Sequence, residues 1–431
     1  MTRPKLAWSD LAGSRVGVWG LGREGQASLR KLHALGVEPV LVDDHPASPG
    51  VLATGDGGMA ALEQCQVVVK TPGLSRYRPE AARLAELGIP VVGGLGLWLA
   101  EQDLKRVLCV TGTKGKSTTS SVTGHLLAGL GYQTLVGGNI GVVPYDPAEG
   151  QDFDYWVIEV SSYQATDLPC TPPVTAVTSL HPDHLDWHGG VDRYYRDKLS
   201  MCSQPGADLT VANGDSRLLR EHTALLGPRV EWVAEDDEPG ADWMVPLGLL
   251  GQHNRRNTLI ARRCLAAMGI KADDAELHKA AAGYQHLPSR LAPVATIDGV
   301  TFVDDSLSTN VLPTLAALDA FTGRRIALIV GGHDRGIDYA PLAAGVAARA
   351  EPTLVLTLPD SGPRIRAEIR RAAPGAAVTD CADLDAAVGA GFAWARPDGV
   401  VLLSPAAPSF GRYRDYRDRG DAFTRAAQAL A

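Results

Sequence analysis

The chain has 431 residues, 45% of them hydrophobic and 21% charged, with a net charge of −8. At roughly 150 residues per domain that is about three domains of ordinary globular composition, which excludes a disordered chain, a fibre and a disulfide-stapled miniature. The negative balance excludes nucleic acid as the main partner, because a phosphate backbone needs a basic footprint. Apolar runs are strand-length, as in Val400-Val401-Leu402-Leu403, far short of the ~20 residues of a membrane span, so no membrane contact is expected. The opening Met1-Thr2-Arg3-Pro4-Lys5-Leu6 is basic with no apolar stretch behind it, so no secretory leader is expected either. Cys65, Cys109, Cys170, Cys202, Cys264 and Cys381 lack any Cys-x-x-Cys spacing. They read as small buried hydrophobes in a reducing cytoplasm.

Apolar β-branched runs alternate with Ala/Leu-rich stretches, the pattern of parallel α/β sheets. A strand at 15–19 meets a glycine turn and a helix over 27–35. Strands at 39–42, 66–69 and 90–92 follow, the last running into a glycine-rich stretch at 93–96. Helical residues 97–105 bridge to a strand at 106–110, which puts a boundary near residue 103. The middle region has a glycine loop, a helix from about 118, and strands at 155–160, 174–179 and 208–212. Residues 226–246 read as loops and short strands, 254–268 and 273–282 as helices, and 283–288 as a linker. A third unit carries strands at 300–303, 326–330, 353–357 and 400–403. The expected fold is α/β in three domains. These are a Rossmann-like domain at 1–103, a central P-loop ATPase-type parallel sheet at 104–287, and a Rossmann-like domain at 288–431.

Gly20-Leu21-Gly22-Arg23-Glu24-Gly25 follows a strand and opens a helix, with Asp43 and Asp44 at the end of the next strand. That is the setting of a dinucleotide fingerprint, in which glycines let backbone approach a pyrophosphate at a helix N-terminus. It is compatible with a phosphate-bearing ligand or with a tight structural turn. The strongest signal is Thr111-Gly112-Thr113-Lys114-Gly115-Lys116-Ser117-Thr118-Thr119 between a strand and a helix. Its N–H groups suit phosphates, Lys116 the β/γ-phosphates and Ser117 a Mg²⁺ ion, so it reads as an ATP-binding loop. Glu159 ends a hydrophobic strand, where such proteins hold Mg²⁺ or merely bury a strand-end carboxylate. His181-Pro182-Asp183-His184-Leu185-Asp186-Trp187-His188 packs three histidines and two aspartates into eight residues. Zinc, a second Mg²⁺ and plain hydrogen-bonded histidines all stay open there. Lys198 by itself reads as a solvated helical lysine. His253-Asn254 and Asn257 suit a base or a helix cap, and Asp304-Asp305-Ser306 and Ser404-Pro405 place polar groups at strand ends.

Taken together these motifs resemble the Mur ligases, most closely their glutamate-adding MurD branch. Gly112-Thr113-Lys114-Gly115-Lys116-Ser117-Thr118, Gly137-Gly138-Asn139-Ile140-Gly141 and Glu159-Val160-Ser161-Ser162-Tyr163-Gln164 carry the likeness. So do Asp183-His184-x-Asp186, Lys198, Gly251-x-His253-Asn254-x-x-Asn257, Leu287-Pro288-x-Arg290, Asp305-Ser306 and Leu402-Leu403-Ser404-Pro405-Ala406, in order along essentially the whole chain. The resemblance implies a cytoplasmic, ATP-dependent ligase of peptidoglycan precursor synthesis, monomeric, that joins glutamate to UDP-N-acetylmuramoyl-L-alanine through an acyl phosphate, giving ADP and phosphate. It implies that the first domain holds the UDP end, the glycine fingerprint serving a nucleotide sugar and not NAD, and that the third closes over ATP with the incoming amino acid. Catalysis would fall to Lys116, His184 and Lys198. ATP would lie on residues 112–118 with Asn257, Arg290 and Asp305. One Mg²⁺ would lie on Ser117 and Glu159, and a second on His184 and a carbamylated Lys198. Substrates would meet Gly22, Arg23, Asp43, Asp44, Gly73, Asn139, Ser161, Gln164, Arg335, Ser409 and Tyr416.

The chain departs from the D-glutamate-adding pattern in informative places. Leu307 stands where a lysine usually pairs with a glutamate carboxylate, and a buried carboxylate without its partner costs about 3–5 kcal/mol. Arg335 stands at a usual lysine and offers two parallel bonds to a carboxylate. Lys114 replaces an asparagine, and Gly94 and Gly96 replace acidic residues. These changes resemble the subgroup that adds L-glutamate and leaves epimerisation to a separate enzyme. The alternatives are the same reaction with D-glutamate, and a non-catalytic muropeptide sensor. An NAD-dependent dehydrogenase leaves the ATP loop without purpose, and a folylpolyglutamate synthase does not need the first domain.

Overall fold

The computed structural model describes residues 3–150 and 152–431. Its strands build three sheets. The first comprises β1 (Val16–Trp19), β2 (Val40–Asp43), β3 (Leu52–Ala53), β4 (Val67–Lys70) and β5 (Val91–Gly93), in the order β3-β2-β1-β4-β5. The second comprises β6 (Val107–Thr111), β7 (Thr134–Gly138), β8 (Tyr155–Glu159), β9 (Val174–Val177), β10 (Leu209–Asn213) and β11 (Arg229–Val233), in the order β11-β10-β9-β6-β8-β7. The third comprises β12 (Ala292–Ile297), β13 (Val300–Asp304), β14 (Ile326–Val330), β15 (Thr353–Thr357), β16 (Ala377–Asp380) and β17 (Val400–Leu403), in the order β12-β13-β17-β14-β15-β16. All pairings are parallel except the β12–β13 edge. The expected α/β class holds, and the strands read as continuous apolar runs because helices cover both faces of such sheets.

The chain forms two compact units. One holds residues 1–248 and 254–284 with the first two sheets, and the other holds 249–253 and 285–431 with the third. Within the first unit one core runs from Trp8, Val16 and Val18 through Leu95 and Trp98 to Cys109 and Ile158, and a smaller one gathers Trp19, Val42, Leu62 and Val68. The glycine-rich stretch at 93–96 is already helical from Gly94, and the helix runs over Gly94–Leu99. A Cβ on Gly94 would lie 2.4 Å from the Tyr145 hydroxyl, and one on Gly96 would lie 2.8 Å from the Asp167 carbonyl oxygen. That crowding is a physical reason why no acidic side chain stands at either position. Sequence reading also missed β3, β7, β12 and β16. These are two short strands, a glycine-bearing one and an antiparallel edge whose period-2 pattern is weak. β11 lies inside the stretch read as irregular. All six cysteines are unpaired, five of them buried. Among the described residues no helix is long and apolar enough to cross a membrane.

Candidate active site

The site in the first unit begins where β6 ends. Its five residues are fully buried, and the chain leaves the sheet through Gly112 at φ 141°. It re-enters a helix, Lys116–Gly129, behind Gly115 at φ 87°. Both angles belong to glycine. The loop is pinned from the β9 side: Lys114 N–H donates to Ser179 Oγ at 2.8 Å and Thr178 Oγ1 donates to the Lys114 carbonyl at 2.6 Å. Lys116 Nζ curls over the loop to the carbonyls of Gly112 (2.8 Å) and Thr113 (3.1 Å). Ser117 and Thr118 follow on the first helical turn, half-buried.

Parallel pairing sets Val110 of β6 opposite Glu159 of β8. This places the buried Glu159 carboxylate at the loop, where it accepts from Ser117 Oγ and from Asn139 Nδ2, both at 2.6 Å. Lys198, 2% exposed on the helix Val191–Leu199, donates from Nζ to the Gly112 carbonyl at 3.1 Å. Two lysines therefore share one carbonyl oxygen. Burial, and next the neighbouring Lys116, hold the Lys198 amine well below the usual lysine range. His184 occupies a left-handed position, φ 51°, ahead of the helix Leu185–His188. Burial lowers its imidazole pKa, Asp183 opposing and Lys198, Lys114 and Lys116 adding to the shift. Lys114 is exposed, 3.9 Å from Asp183. Asn257 is buried against the loop, where a Cβ on Gly115 would lie 2.8 Å from its Oδ1.

The glycine turn of the first sheet sits in the same unit. Both oxygens of Asp43 are taken by backbone N–H groups, of Leu21 at 2.7 Å and His45 at 2.9 Å. Asp44 pairs with Arg78 at 2.5 Å, a contact that lowers its pKa. Arg23 reaches the carbonyls of Gly138, Asn139 and Gly141, at 2.7, 3.0 and 2.8 Å. Gly73 O accepts from Trp187 Nε1 at 3.0 Å. Ser161 caps the short helix Ser162–Ala165 in a reciprocal box with Gln164, whose Nε2 donates to Glu24 at 2.8 Å. Burial pushes the Glu24 carboxyl up to about 7.

In the second unit Arg290 lies between two non-glycine residues in left-handed conformation, Ser289 at φ 58° and Leu291 at φ 47°. Leu291 N–H donates to Asp305 at 3.2 Å, and Ser308 and Ser404 donate to it at 2.5 and 2.7 Å, so Asp305 is held by the backbone next to Arg290 and by two hydroxyls. Burial raises Asp305 to about 7. A small cleft is lined by Gly331, Gly332, Asp360, Ser409, Arg412 and Arg419 among others. Arg335 lies beside this region, its guanidinium 5.4 Å from the Phe410 ring, and Tyr416 opens the helix Tyr416–Gln428.

The Mur ligase middle-domain model matches residues 110–243, and the Mur ligase glutamate-ligase domain model matches residues 289–407. A UDP-N-acetylmuramoyl-L-alanine–L-glutamate ligase from Micromonospora sp. is 40% identical, over 98% of this chain and 98% of its own. The protein of the same name from Xanthomonas axonopodis pv. citri is 38% identical, over 97% and 96%. The chain belongs to the Mur ligase family. Mur ligases are ATP-dependent amide ligases of peptidoglycan synthesis. The fold agrees with that of the MurF ligase from Thermotoga maritima in complex with ADP, with TM-score 0.58 at 15% identity over 100% of this chain and 99% of that one. It also agrees with UDP-N-acetylmuramate-alanine ligase MurC from the same organism, with TM-score 0.57 at 17% identity over 97% and 100%.

In this Mur ligase the expected residues Ser117, Glu159, Lys116, Lys198 and Asn139 converge on the glycine loop at 112–116. Asp43, Asp44, Ser161 and Gln164 make their hydrogen bonds and ion pair elsewhere in the same unit. Sequence reading missed the buried ion pair Lys70–Asp167 (2.5 Å) and the hydrogen bonds of Glu24, Asp197, Ser162 and Tyr77, while for His188 it leaves open the plain hydrogen-bonded histidine that is found. A lysine ending an all-apolar strand was a usable signal for the ion pair. The others meet only through tertiary packing.

Proposed function

We propose that this Mur ligase joins L-glutamate to UDP-N-acetylmuramoyl-L-alanine in the cytoplasm, releasing ADP and phosphate through an acyl phosphate of the muramoyl-alanine carboxylate. The carrying observation is the convergence of half-buried Lys116 and Ser117 with buried Glu159 and Lys198 at one glycine loop. Residues 1–103 would hold the UDP-sugar, 104–287 the ATP and 288–431 the amino acid. Lys116 would leave the Gly112 and Thr113 carbonyls for the transferring phosphoryl group, offsetting its charge. Asn257 beside Gly115, and Arg290 with Asp305, would complete the ATP contacts.

The residues fit divalent cations. Ser117 and Glu159 offer hard oxygens 2.6 Å apart, a donor set suited to Mg²⁺. Among the described residues no three His, Cys, Asp or Glu side chains converge as a cage, so ligand oxygens would complete the shell. Lys198, whose amine burial and the neighbouring Lys116 hold well below the usual lysine range, has the amine chemistry to take up CO₂ as a carbamate, which with His184 would hold a second Mg²⁺. When bound, the two ions supply charge neutralisation at the phosphoryl oxygens.

L-Glutamate is supported by the names of the relatives and by two positions of this chain. Leu307, half-buried with its N–H on the Ser289 carbonyl, offers no cation where a lysine is usual. Arg335 beside Phe410, with Ser409 and Tyr416, would meet the side-chain carboxylate from a new direction, as inversion of a stereocentre requires. A separate epimerase would then act on the product, and the ligase works as a monomer. The test incubates the protein with ATP, Mg²⁺, UDP-N-acetylmuramoyl-L-alanine and either enantiomer of glutamate, reading product mass and phosphate. Product with L-glutamate alone is expected. Product with D-glutamate alone overturns the stereochemical assignment, and no product with either overturns catalysis in favour of a sensor.

A further inference from the structure

A second, largely buried network lies in the same compact unit as the candidate site. The Asp197 carboxylate accepts from the Tyr77 hydroxyl on Oδ1 at 2.6 Å and faces His188 Nδ1 from Oδ2 at 2.7 Å. His188 is fully buried, and its Nε2 lies 3.0 Å from Ser162 Oγ. A carboxylate only accepts, so Nδ1 carries the imidazole proton and Nε2 receives the Ser162 hydroxyl in the neutral ring. Aromatic neighbours fix the ring plane: Tyr163 stacks at 5.6 Å, Trp187 tilts at 4.5 Å and Tyr194 meets it edge-on at 5.2 Å.

Each member adjoins a residue of the site. Asp197 precedes Lys198, His188 ends the turn that His184 opens, Ser162 lies next to Ser161 and three residues beyond Glu159, and Tyr77 belongs to the loop of Gly73. That loop is fastened twice more, by Trp187 Nε1 to the Gly73 carbonyl and by Ser75 Oγ to the Trp187 carbonyl, at 3.0 and 3.1 Å. Consecutive helical residues point about 100° apart. Asp197 therefore faces Tyr77 and His188 while Lys198 faces Gly112. Gripping Asp197 from two sides fixes the rotation of its helix, and with it the aim of the lysine amine.

We propose that Tyr77, Asp197, His188 and Ser162 form a positioning chain that aims Lys198 at the ATP loop and ties that aim to the loop bearing Gly73. The inference rests on the ligase reading above. A lysine group that must lie within about 0.5 Å of its working place depends on such outer contacts.

The test uses the full-length enzyme with Tyr77→Phe, Asp197→Asn, His188→Asn and His188→Gln, scored by kcat, KM for ATP, Tm, and the ¹³C signal of Lys198 after equilibration with ¹³C-bicarbonate. Asparagine at 188 keeps a donor at the Nδ1 position, whereas glutamine does not. Asp197→Asn and His188→Gln are expected to lower kcat about 10- to 100-fold with KM for ATP within twofold, and to weaken the ¹³C signal. His188→Asn should recover most of both, and Tyr77→Phe, a mild change at a partly exposed residue, should lose a few-fold. Equal losses in both His188 variants that track Tm, or unchanged kcat in Asp197→Asn, would overturn the proposal. Wild-type enzyme without ligase turnover indicts the ligase reading instead. Turnover without any ¹³C signal indicts the carbamate, and the kcat split between the two His188 variants then still decides the positioning role.

Discussion

Two glycine turns in one compact unit have the same outline, strand into tight turn into helix, and differ in what their side chains do. At Gly112–Lys116 the cation belongs to the loop and bends back onto the loop's own carbonyls, with a buried carboxylate and a second lysine within reach. At Gly20–Gly25 the arginine leaves the loop for carbonyls around Gly138, the nearby aspartate accepts from the loop's own backbone, and the remaining acid, Glu24, is half-buried and bonded to Gln164. The first turn concentrates its charges on the loop itself. The second uses its charges to hold two sheets together. Glycine spacing therefore reports backbone geometry, and the direction of the neighbouring charged side chains reports chemistry.

The largest effect expected from this contrast is at Lys116. Lys116→Ala should lower kcat on the order of 10²–10³-fold or more with little change in Tm, measured by phosphate release and calorimetry. Comparable loss from Arg23→Ala would erase the distinction between the turns.

Glu24 gives the next effect, through pH. Its folded pKa of about 7 lies above the ordinary 4.5, so its contribution to stability is full below pH 4.5 and lost as pH rises through 7. Glu24→Gln, neutral throughout, should flatten the fall in stability between about pH 5 and 8, by up to the order of 3 kcal/mol at the alkaline end. Parallel Tm-against-pH curves for the two proteins would contradict the burial of this acid.

A smaller loss is expected from Gly25→Ala, whose Cβ would sit 1.9 Å from the Gly20 carbonyl oxygen. Overpacking of that kind costs about 1–3 kcal/mol, seen as a Tm lowered by several degrees. Arg23→Ala should be the mildest. A few-fold rise in KM for the UDP-sugar with kcat unchanged is expected, checked by initial-rate kinetics.

Much of the site is legible in the order of residues. Lys116, Ser117 and Glu159 stand in local patterns whose geometry is set within a few residues: a strand, two glycines and a helix start. The class of fold is legible for the same reason, since parallel strands buried on both faces must be apolar throughout. The edge strands β3, β12 and β16 are not, because short or half-exposed strands carry little pattern. Asp305 can be named from its place after a strand, yet the burial that raises it to about 7 cannot be read there.

What the chain's order of residues determined was therefore local: which strands, which loops, and which loop could cradle phosphate. Tertiary structure alone decided the rest. Lys198 changes from a solvated helical lysine into a buried amine because the Gly112 carbonyl, 86 residues away, closes over it. Asp197, His188 and Tyr77 become one network only when segments far apart in sequence pack together. Desolvation and hydrogen-bond direction depend on what surrounds a group in space, and no spacing along the chain encodes that by itself.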